Sequence, residues 1–322
     1  MVRSLLRRIR RRLFSRLPPP RDEIYYFGPE DIDHLVQVYA KQGPIEGGPW
    51  EPYRHAHMAL PSWFVPGLDP WGPEYRAQQV RLWQLVSGVD RDYDPSLDEQ
   101  EFAWGEIDAV RQPGYYVRRD AGAIQSAADH WLATGMLLKH AGLKAGDHAL
   151  EYGAGFAQSA LALARLGVVV DTVDISATFC KYVTEQASFF QVPLTAHHAQ
   201  FGHNPHPDRK YNLVWFYESF HHCLDFAAVV PRIADMLAPG GRVILGGEPI
   251  VEKEYAAVPY PWGVRLHSEV AVVMRQTRWF ELGFSEAFLY ELFARSGLLG
   301  RRIDCPPSEF GRLYVFEHTP QS

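Results

Sequence analysis

The stretch Ala149-Leu-Glu-Tyr-Gly-Ala-Gly-Phe-Ala157, followed by Val168-Val-Val-Asp-Thr-Val-Asp174, decides the fold of this 322-residue chain. A short apolar run enters a glycine turn, small residues with helical spacing follow, and a second apolar run ends on an acid. This order predicts the strand–helix–strand half of a nucleotide-binding βαβ unit. Gly153 and Gly155 allow a tight turn and close approach of a ligand to the backbone, and Asp174 can accept hydrogen bonds from ribose hydroxyls.

The spacing of these glycines helps to select the ligand. A dinucleotide-binding fingerprint has a third glycine three residues after the second, and here that position is Gln158. The acid that precedes the glycines, Glu151, is also foreign to the usual dinucleotide turn. Glu151-x-Gly153-x-Gly155 together with Asp174 resembles the first two motifs of class I S-adenosylmethionine (SAM) methyltransferases. That resemblance implies SAM as the cofactor.

The second half of the chain contains the elements that complete such a fold. A helix that ends in Pro-Gly-Gly and passes into a strand is the usual entry to the fifth strand in this family, and Pro and Gly end helices on physical grounds. We therefore expect an α/β fold over residues 140–322, a doubly wound, Rossmann-like class I methyltransferase sheet. The predicted elements are strands over 211–216 and 242–247, helices over 226–237 and 285–295, and an antiparallel edge pair near 301–305 and 312–317.

A narrower resemblance is to methyltransferases found with glycosyltransferases in bacterial surface-polysaccharide pathways. It implies SAM-dependent O-methylation of a sugar hydroxyl in a glycan, a glycolipid or a nucleotide sugar. Two other classes of function stay open: an NAD(P)-dependent Rossmann oxidoreductase, and a catalytically silent binding module. A methyltransferase that acts on a non-carbohydrate small molecule is a further alternative. The stretches that carry the resemblance are Pro73–Gln79, Tyr217–Cys223, Gly247–Ile250, Pro259–Arg265 and Trp279–Phe284.

Composition limits the remaining possibilities. A hydrophobic fraction of 47% and a charged fraction of 22% are ordinary for a soluble globular protein. The three cysteines form no Cys-x-x-Cys motif, which favours a reducing, cytoplasmic location over a disulfide framework. The net charge is −6, yet residues 1–20 hold seven arginines and no acid. The rest of the chain is therefore strongly acidic, which argues against general nucleic-acid binding.

Two regions precede the predicted sheet. Residues 1–20 read as a basic amphipathic segment, and an arginine-rich helix over 1–17 suits the inner surface of an anionic membrane; a disordered tail and a cleaved presequence are the alternatives. Residues 21–139 form an aromatic-rich cap or acceptor region, with six of the nine tryptophans between Trp50 and Trp131. Aromatic rings can stack on sugars, but they also serve as core residues in loop-rich regions.

The family resemblance assigns the cofactor contacts residue by residue. Glu151, Gly153 and Gly155 are expected along the methionine part of SAM, and Asp174 on the ribose. Ile175 is expected against the adenine. Gln200, in His198-Ala-Gln-Phe201, stands where the family commonly has an acid for the adenine amino group, and an amide oxygen can accept that hydrogen bond too.

Candidate bases follow the predicted fourth strand, at the position that faces the transferred methyl group in this family. They are Glu218, His221 and His222. A histidine can accept a proton near neutral pH, and a positioned base contributes roughly 10²–10⁴-fold to a rate. The two histidines are adjacent, so both cannot point at one spot, and the resemblance implies a packing or capping role for one of them.

Candidate acceptor contacts follow the fifth strand. Glu248 is expected to orient the acceptor or bind a cation. Tyr260, Trp262 and Arg265 are expected to line the acceptor pocket, and Arg265 suits an anionic group.

No resident metal is expected. Histidines are frequent between His197 and His206, and His203-Asn-Pro-His206 has the tight turn of a zinc ligand pair. No matching second pair appears, so this stretch is interpreted as a polar loop. Glu218 and Glu248 could hold magnesium, although nothing in the sequence requires it.

Overall fold

The structure, a computed structural model, describes residues 25–42, 48–100, 107–119, 122–251 and 258–318. The basic segment over 1–20, and with it the predicted membrane helix, lies outside the described residues. The described chain forms two compact units. The first contains the residues up to Tyr93 together with 258–259 and Gly263–Glu281, and the second contains the remainder. The described residues between 94 and 139, which the sequence analysis assigns to the cap, thus lie in the unit that holds the sheet.

The second unit is built on a seven-stranded sheet, whose strands we number in chain order. The order across the sheet is β3-β2-β1-β4-β5-β7-β6. Strands β1 to β5 are mutually parallel, and β7 is antiparallel to both of its neighbours. The predicted doubly wound class I sheet and its antiparallel edge pair are confirmed. The strands are β1 His148–Tyr152, β2 Val169–Asp174, β3 Leu194–His198, β4 Tyr211–Tyr217, β5 Leu237–Gly246, β6 Leu298–Ile303 and β7 Leu313–His318.

Apolar residues on both sides of the central strands explain why this sheet forms. Parallel strands are covered by helices on both faces and therefore have nearly continuous runs of buried residues. On one face, Val170, Leu213 and Ile244 share a core with Leu137 and Leu163 from two helices. On the other face lies a cluster of aromatic rings. Its members are Phe216, Phe220, Phe226, Phe284, Phe288 and Phe293.

Two helices of the second unit begin at serine caps. Ser176 Oγ accepts a hydrogen bond from Phe179 N at 3.0 Å, and Ser285 Oγ accepts one from Phe288 N at 3.3 Å. Each bond satisfies an N–H group that the first turn of a helix leaves without an intrahelical partner. No helix among the described residues combines the length and the apolar character that crossing a bilayer requires. The helices are Pro95–Asp98, Ala123–His140, Gln158–Arg165, Ala177–Phe190, Phe226–Met236 and Glu286–Ala294, and a short parallel pair joins Ile250–Val251 to Leu282–Ser285.

Strand β5 starts five residues earlier than predicted. Its pairing with β4 runs from Tyr211–Leu237 directly to Leu213–Arg242, so Ala238-Pro-Gly-Gly241 forms an irregularity inside the strand. A Cβ on Gly241 would lie 2.7 Å from the carbonyl oxygen of Tyr211. The glycine therefore permits close approach of the two strands rather than only ending the preceding helix.

The first unit is helical, with very short strands. Trp83 stacks on Phe280 at 5.9 Å between ring centroids, and its Nε1 donates to the carbonyl oxygen of Arg278 at 2.7 Å. Trp50 and Trp83 are fully buried, so these two tryptophans are core residues of the unit. Its elements are the helices Ile32–Gln42, Pro73–Ser87 and Ser268–Thr277 and the parallel strands Tyr26–Phe27 and His57–Met58. Strand Trp262–Val264 begins in the second unit and ends in the first.

Candidate functional site

The glycine turn after β1 is held tightly against the segment that follows β4. Gly153 has a φ of +65°, and a Cβ there would lie 2.5 Å from the Cβ of Ser219. Ser219 Oγ donates a hydrogen bond to the carbonyl oxygen of Tyr152 at 2.8 Å. Gly155 also has a positive φ, of +50°, but open space lies where its Cβ would be. The first glycine is thus required for packing, and the second leaves backbone accessible to a ligand.

Asp174 fastens this turn to the end of β2. Its Oδ2 accepts a hydrogen bond from Gly155 N at 2.9 Å, and its Oδ1 accepts one from Ser176 N at 2.8 Å. Ala199 N donates to the carbonyl oxygen of Asp174 at 3.0 Å, which brings the start of the β3–β4 loop to the same edge. The half-buried Ile175 and the exposed Gln200 lie beside these contacts. Gly153, Gly155, Asp174, Ile175 and Gln200 therefore lie at the carboxyl ends of β1, β2 and β3, where open α/β sheets bind ligands.

Glu151 lies beneath the turn and is only 2% exposed. Its Oε1 accepts hydrogen bonds from Ser159 Oγ at 2.5 Å and from Trp215 Nε1 at 2.8 Å. Burial raises the pKa of Glu151 to about 8, against the opposing effect of these donors. In the contacts seen here, Glu151 anchors the helix that starts at Gln158. Its predicted contact with the methionine part of SAM stays a prediction.

The turn after β4 is organised around a buried carboxylate, Glu248. Its Oε1 accepts hydrogen bonds from the backbone N–H groups of Ser219 and Phe220 at 2.9 and 2.8 Å. Its Oε2 accepts one from His221 N at 3.1 Å and lies 2.8 Å from His221 Nδ1. Burial alone would raise the pKa of Glu248, but the His221 charge and these donors together lower it. Glu248 and His221 thus hold the turn in shape, a positioning role that the sequence analysis did not assign to Glu248.

The other two candidate bases lie beside residues that are distant in sequence. His222 Nδ1 lies 3.3 Å from Glu99 Oε2, and both side chains are largely buried. Glu218 has a positive φ of +51°, an uncommon and strained conformation for a residue other than glycine. Its Oε2 lies 3.4 Å from His130 Nδ1, which is also 2.7 Å from the hydroxyl of Tyr217.

Sequence reasoning missed Glu99 and His130. Burial lowers the pKa of His130, which favours its neutral form, and its ring stacks on Phe310 at 4.6 Å. Neither residue belongs to a recognisable motif. Their partners are more than 80 residues away, so only the tertiary structure brings them together.

The predicted acceptor residues have three different environments. Tyr260 is 51% exposed and Trp262 is 2% exposed. Trp262 packs edge-on against Phe226 at 5.0 Å, a position in the apolar core rather than on an exposed lining. Arg265 lies in the first unit and is paired with the carboxylate of Glu281. This ion pair is the ordinary structural use of an arginine.

The chain matches a known family over the region that contains the glycine turn. Residues 150–245 match the family described as methyltransferase domain. The matched segment runs from β1 through β5 and includes the cofactor candidates after Ala149 as well as Glu218, His221 and His222. This segment is therefore similar to methyltransferase domains, and the sheet of the second unit has the Rossmann-like fold of class I methyltransferases.

Two known proteins show how far this similarity extends. The chain is 29% identical over 184 residues to 27-O-demethylrifamycin SV methyltransferase of Amycolatopsis mediterranei (strain S699). That match covers 56% of this chain and 63% of the relative, less than two thirds of its length. The crystal structure of geranyl diphosphate C-methyltransferase from Streptomyces coelicolor A3(2) superposes with a TM-score of 0.50 at 15% identity. It covers 79% of this chain and 100% of that chain, a likeness of fold.

The raised pKa of Glu151 predicts how stability depends on pH. The unfolded chain releases this proton near pH 4.5, whereas the folded chain keeps it until about pH 8. Folding stability is therefore lost progressively as pH rises through that interval. Glu151→Gln keeps an oxygen that can accept from Ser159 and Trp215 but has no proton to release. We compare the free energy of unfolding of Glu151→Gln with that of the parent chain. We expect this difference to favour the variant by about 1–3 kcal/mol more at pH 8 than at pH 5.

Urea unfolding of both proteins at the two pH values measures this difference. An equal effect of Glu151→Gln at both pH values would show that the carboxyl titrates normally. Asp208→Asn, at an exposed loop position, serves as the control for loss of a carboxylate without burial.

Proposed function

We infer that this chain is a SAM-dependent methyltransferase that transfers a methyl group to a hydroxyl of a small molecule. One observation carries the proposal. The segment that matches the methyltransferase-domain family also contains the Gly153–Gly155 turn, tied to Asp174 by the hydrogen bond to Gly155 N. The turn, the acid and the strand ends together form the edge at which this fold binds its cofactor.

The residues at this edge fit SAM. Gly153 and Gly155 present backbone without Cβ atoms for the amino-acid part. Asp174 already accepts two backbone hydrogen bonds, yet a carboxylate offers about four acceptor positions, so it can also accept from ribose hydroxyls. We propose that Ile175 and Gln200 contact the adenine. When bound, SAM supplies an electrophilic methyl group on a positively charged sulfur.

A histidine–carboxylate pair supports deprotonation of a hydroxyl acceptor. Glu99 Oε2 lies 3.3 Å from Nδ1 of His222. We propose that a small approach of the two side chains lets this carboxylate accept the Nδ1 proton in a hydrogen bond, which leaves the lone pair on Nε2. We propose that His222 accepts the hydroxyl proton at Nε2 and that Glu99 stabilises the resulting imidazolium. His221, fixed to Glu248 within the turn, is the positioning member of the pair. Glu218, paired with His130, is a second place where a proton can be held.

Exposed aromatic rings support a sugar as the acceptor. Trp131 and Tyr116 are 53% and 39% exposed, and Trp131 Nε1 donates to the Tyr116 hydroxyl at 3.2 Å. Paired rings of this kind can stack on the apolar C–H face of a sugar. Trp131 follows His130 directly on one helix, so this pair lies in the unit that contains the candidate bases. We further propose that the sugar belongs to a polysaccharide pathway in the cytoplasm. Residues 1–17 would bring the chain to the inner surface of the membrane.

A non-carbohydrate acceptor is the second candidate, and one observation favours it. The relative from Amycolatopsis is named for a methyl transfer to the 27-oxygen of a rifamycin, which is an oxygen acceptor in a small molecule. Incubation with labelled SAM separates the candidates when lipid-linked saccharides, free saccharides and hydroxyl-bearing non-sugar compounds are offered side by side. Label in a saccharide fraction supports the sugar proposal, and label only in a non-sugar compound supports the second candidate. Transfer to none of them, with the cofactor bound, argues against both.

Loss of the Asp174 carboxylate is expected to weaken cofactor binding. Asp174→Ala removes the acceptor for ribose and for Gly155 N, so we expect S-adenosylhomocysteine to bind about 1–3 kcal/mol more weakly. Calorimetry measures the affinity, with Asp208→Asn as the control. Unchanged affinity would exclude Asp174 from the ribose site, and binding of NADH instead would favour the oxidoreductase alternative.

The His222–Glu99 pair predicts two different kinetic effects. His222→Ala is expected to lower kcat by roughly 10²–10⁴-fold, since it removes the group that we propose as the main proton acceptor. Glu99→Gln is expected to lower kcat less and to move the acidic limb of its pH profile to lower pH, because an amide stabilises the imidazolium less well. Single-turnover methyl transfer at several pH values measures both. A loss of only a few-fold in His222→Ala, with normal cofactor binding, would refute the base assignment.

A further inference from the structure

A second cluster of polar side chains lies on β2, β3 and the loop between β3 and β4. Asp171 is almost completely buried, with 3% of its side chain exposed. Its Oδ1 lies 2.9 Å from His197 Nε2 and 3.3 Å from His206 Nε2. Its Oδ2 accepts hydrogen bonds from Arg209 Nη1 at 2.9 Å and from the Tyr211 hydroxyl at 3.1 Å. The two carboxylate oxygens thus face different partners.

The three ligand-type atoms converge on one point. The Asp171 oxygen and the Nε2 atoms of His197 and His206 all lie within 4.8 Å of one another. The two imidazole planes are perpendicular, with ring centroids 5.7 Å apart, so the rings approach the carboxylate from different directions. Metal–ligand bonds of about 2.0–2.1 Å in a tetrahedron place neighbouring ligand atoms about 3.3 Å apart. The observed separations from the oxygen are close to that value.

We propose that Asp171, His197 and His206 bind a zinc ion. Two imidazoles and one carboxylate are a ligand set that suits zinc and its first-row neighbours rather than magnesium or calcium, which prefer oxygen ligands alone. His206 is 40% exposed, so solvent can reach the cluster and supply a fourth ligand. Arg209 and Tyr211, on the other oxygen, orient the carboxylate as the outer partners of a metal site do.

The site has a structural consequence for the loop over 199–210. That loop crosses the sheet face, where Tyr152 donates its hydroxyl hydrogen to the carbonyl oxygen of His203 at 2.7 Å. A zinc ion would fasten the far end of the loop, through His206, to β2 and β3. The near end carries Gln200. Zinc binding is therefore expected to raise the melting temperature of the chain, since a ligand that binds the folded state stabilises it.

The test uses the full chain without an affinity tag, freed of metal by a chelator. Titration with Co²⁺, a spectroscopic substitute for zinc, is expected to saturate at one equivalent and to give the intense visible bands of a tetrahedral nitrogen- and oxygen-liganded ion. Zn²⁺ is expected to displace it. His206→Ala changes a partly exposed side chain and is expected to weaken metal binding at least about tenfold. His203→Ala, on the same loop and exposed, is the matched control and is expected to bind normally.

Three results would overturn the proposal. They are no Co²⁺ or Zn²⁺ binding by the folded parent chain, a spectrum without tetrahedral bands, and equal affinity in His206→Ala and the parent. Circular dichroism confirms that each variant is folded. Cofactor binding is measured separately, so a loss of metal binding with normal affinity for S-adenosylhomocysteine leaves the proposed methyltransferase function standing.

Discussion

The candidate site depends on the buried carboxylate of Glu248. Three consecutive backbone N–H groups, those of Ser219, Phe220 and His221, point at it, and the His221 imidazole is its fourth partner. An unpaired carboxylate in this position would be costly, so the turn after β4 and the segment after β5 fix one another. Ser219 also packs against Gly153. The carboxylate of Glu248 therefore also fixes the position of the residue on which the glycine turn packs.

The two adjacent histidines of this turn have different carboxylate partners. A residue that completes a buried hydrogen-bond network is constrained by its structural role, and His221 is 8% exposed and bonded to Glu248. His222 follows it by one residue and pairs instead with Glu99, which comes from a distant part of the chain. The two rings lie against each other, with centroids 4.2 Å apart, yet their Nδ1 atoms face different carboxylates. The contact of His221 with Glu248 therefore does not depend on the proton transfer that we propose for His222.

Much of the fold could be predicted from sequence, because its signals are local. Apolar runs, the glycines before Gln158 and the helix stop near Pro239 each act within a few residues, and the edge strands appear where expected. The ends of β5 were harder, since the irregularity at Gly241 depends on how closely β4 approaches. The site was only partly predictable. Glu99 and His130 act through partners far along the chain, and Trp262 shows that an aromatic residue in a suggestive motif can be core.

The two proposed ligand sites share one strand without sharing a face. Successive side chains of a strand point to opposite sides of the sheet, so Asp171 and Asp174, three residues apart on β2, face different sides. Asp174 at the strand end holds the glycine turn, whereas Asp171 holds the loop that covers the other face through His206 and Arg209. A cation at Asp171 therefore cannot compete with the cofactor for the same carboxylate. It can act on the cofactor edge only through the position of the loop that begins with Gln200.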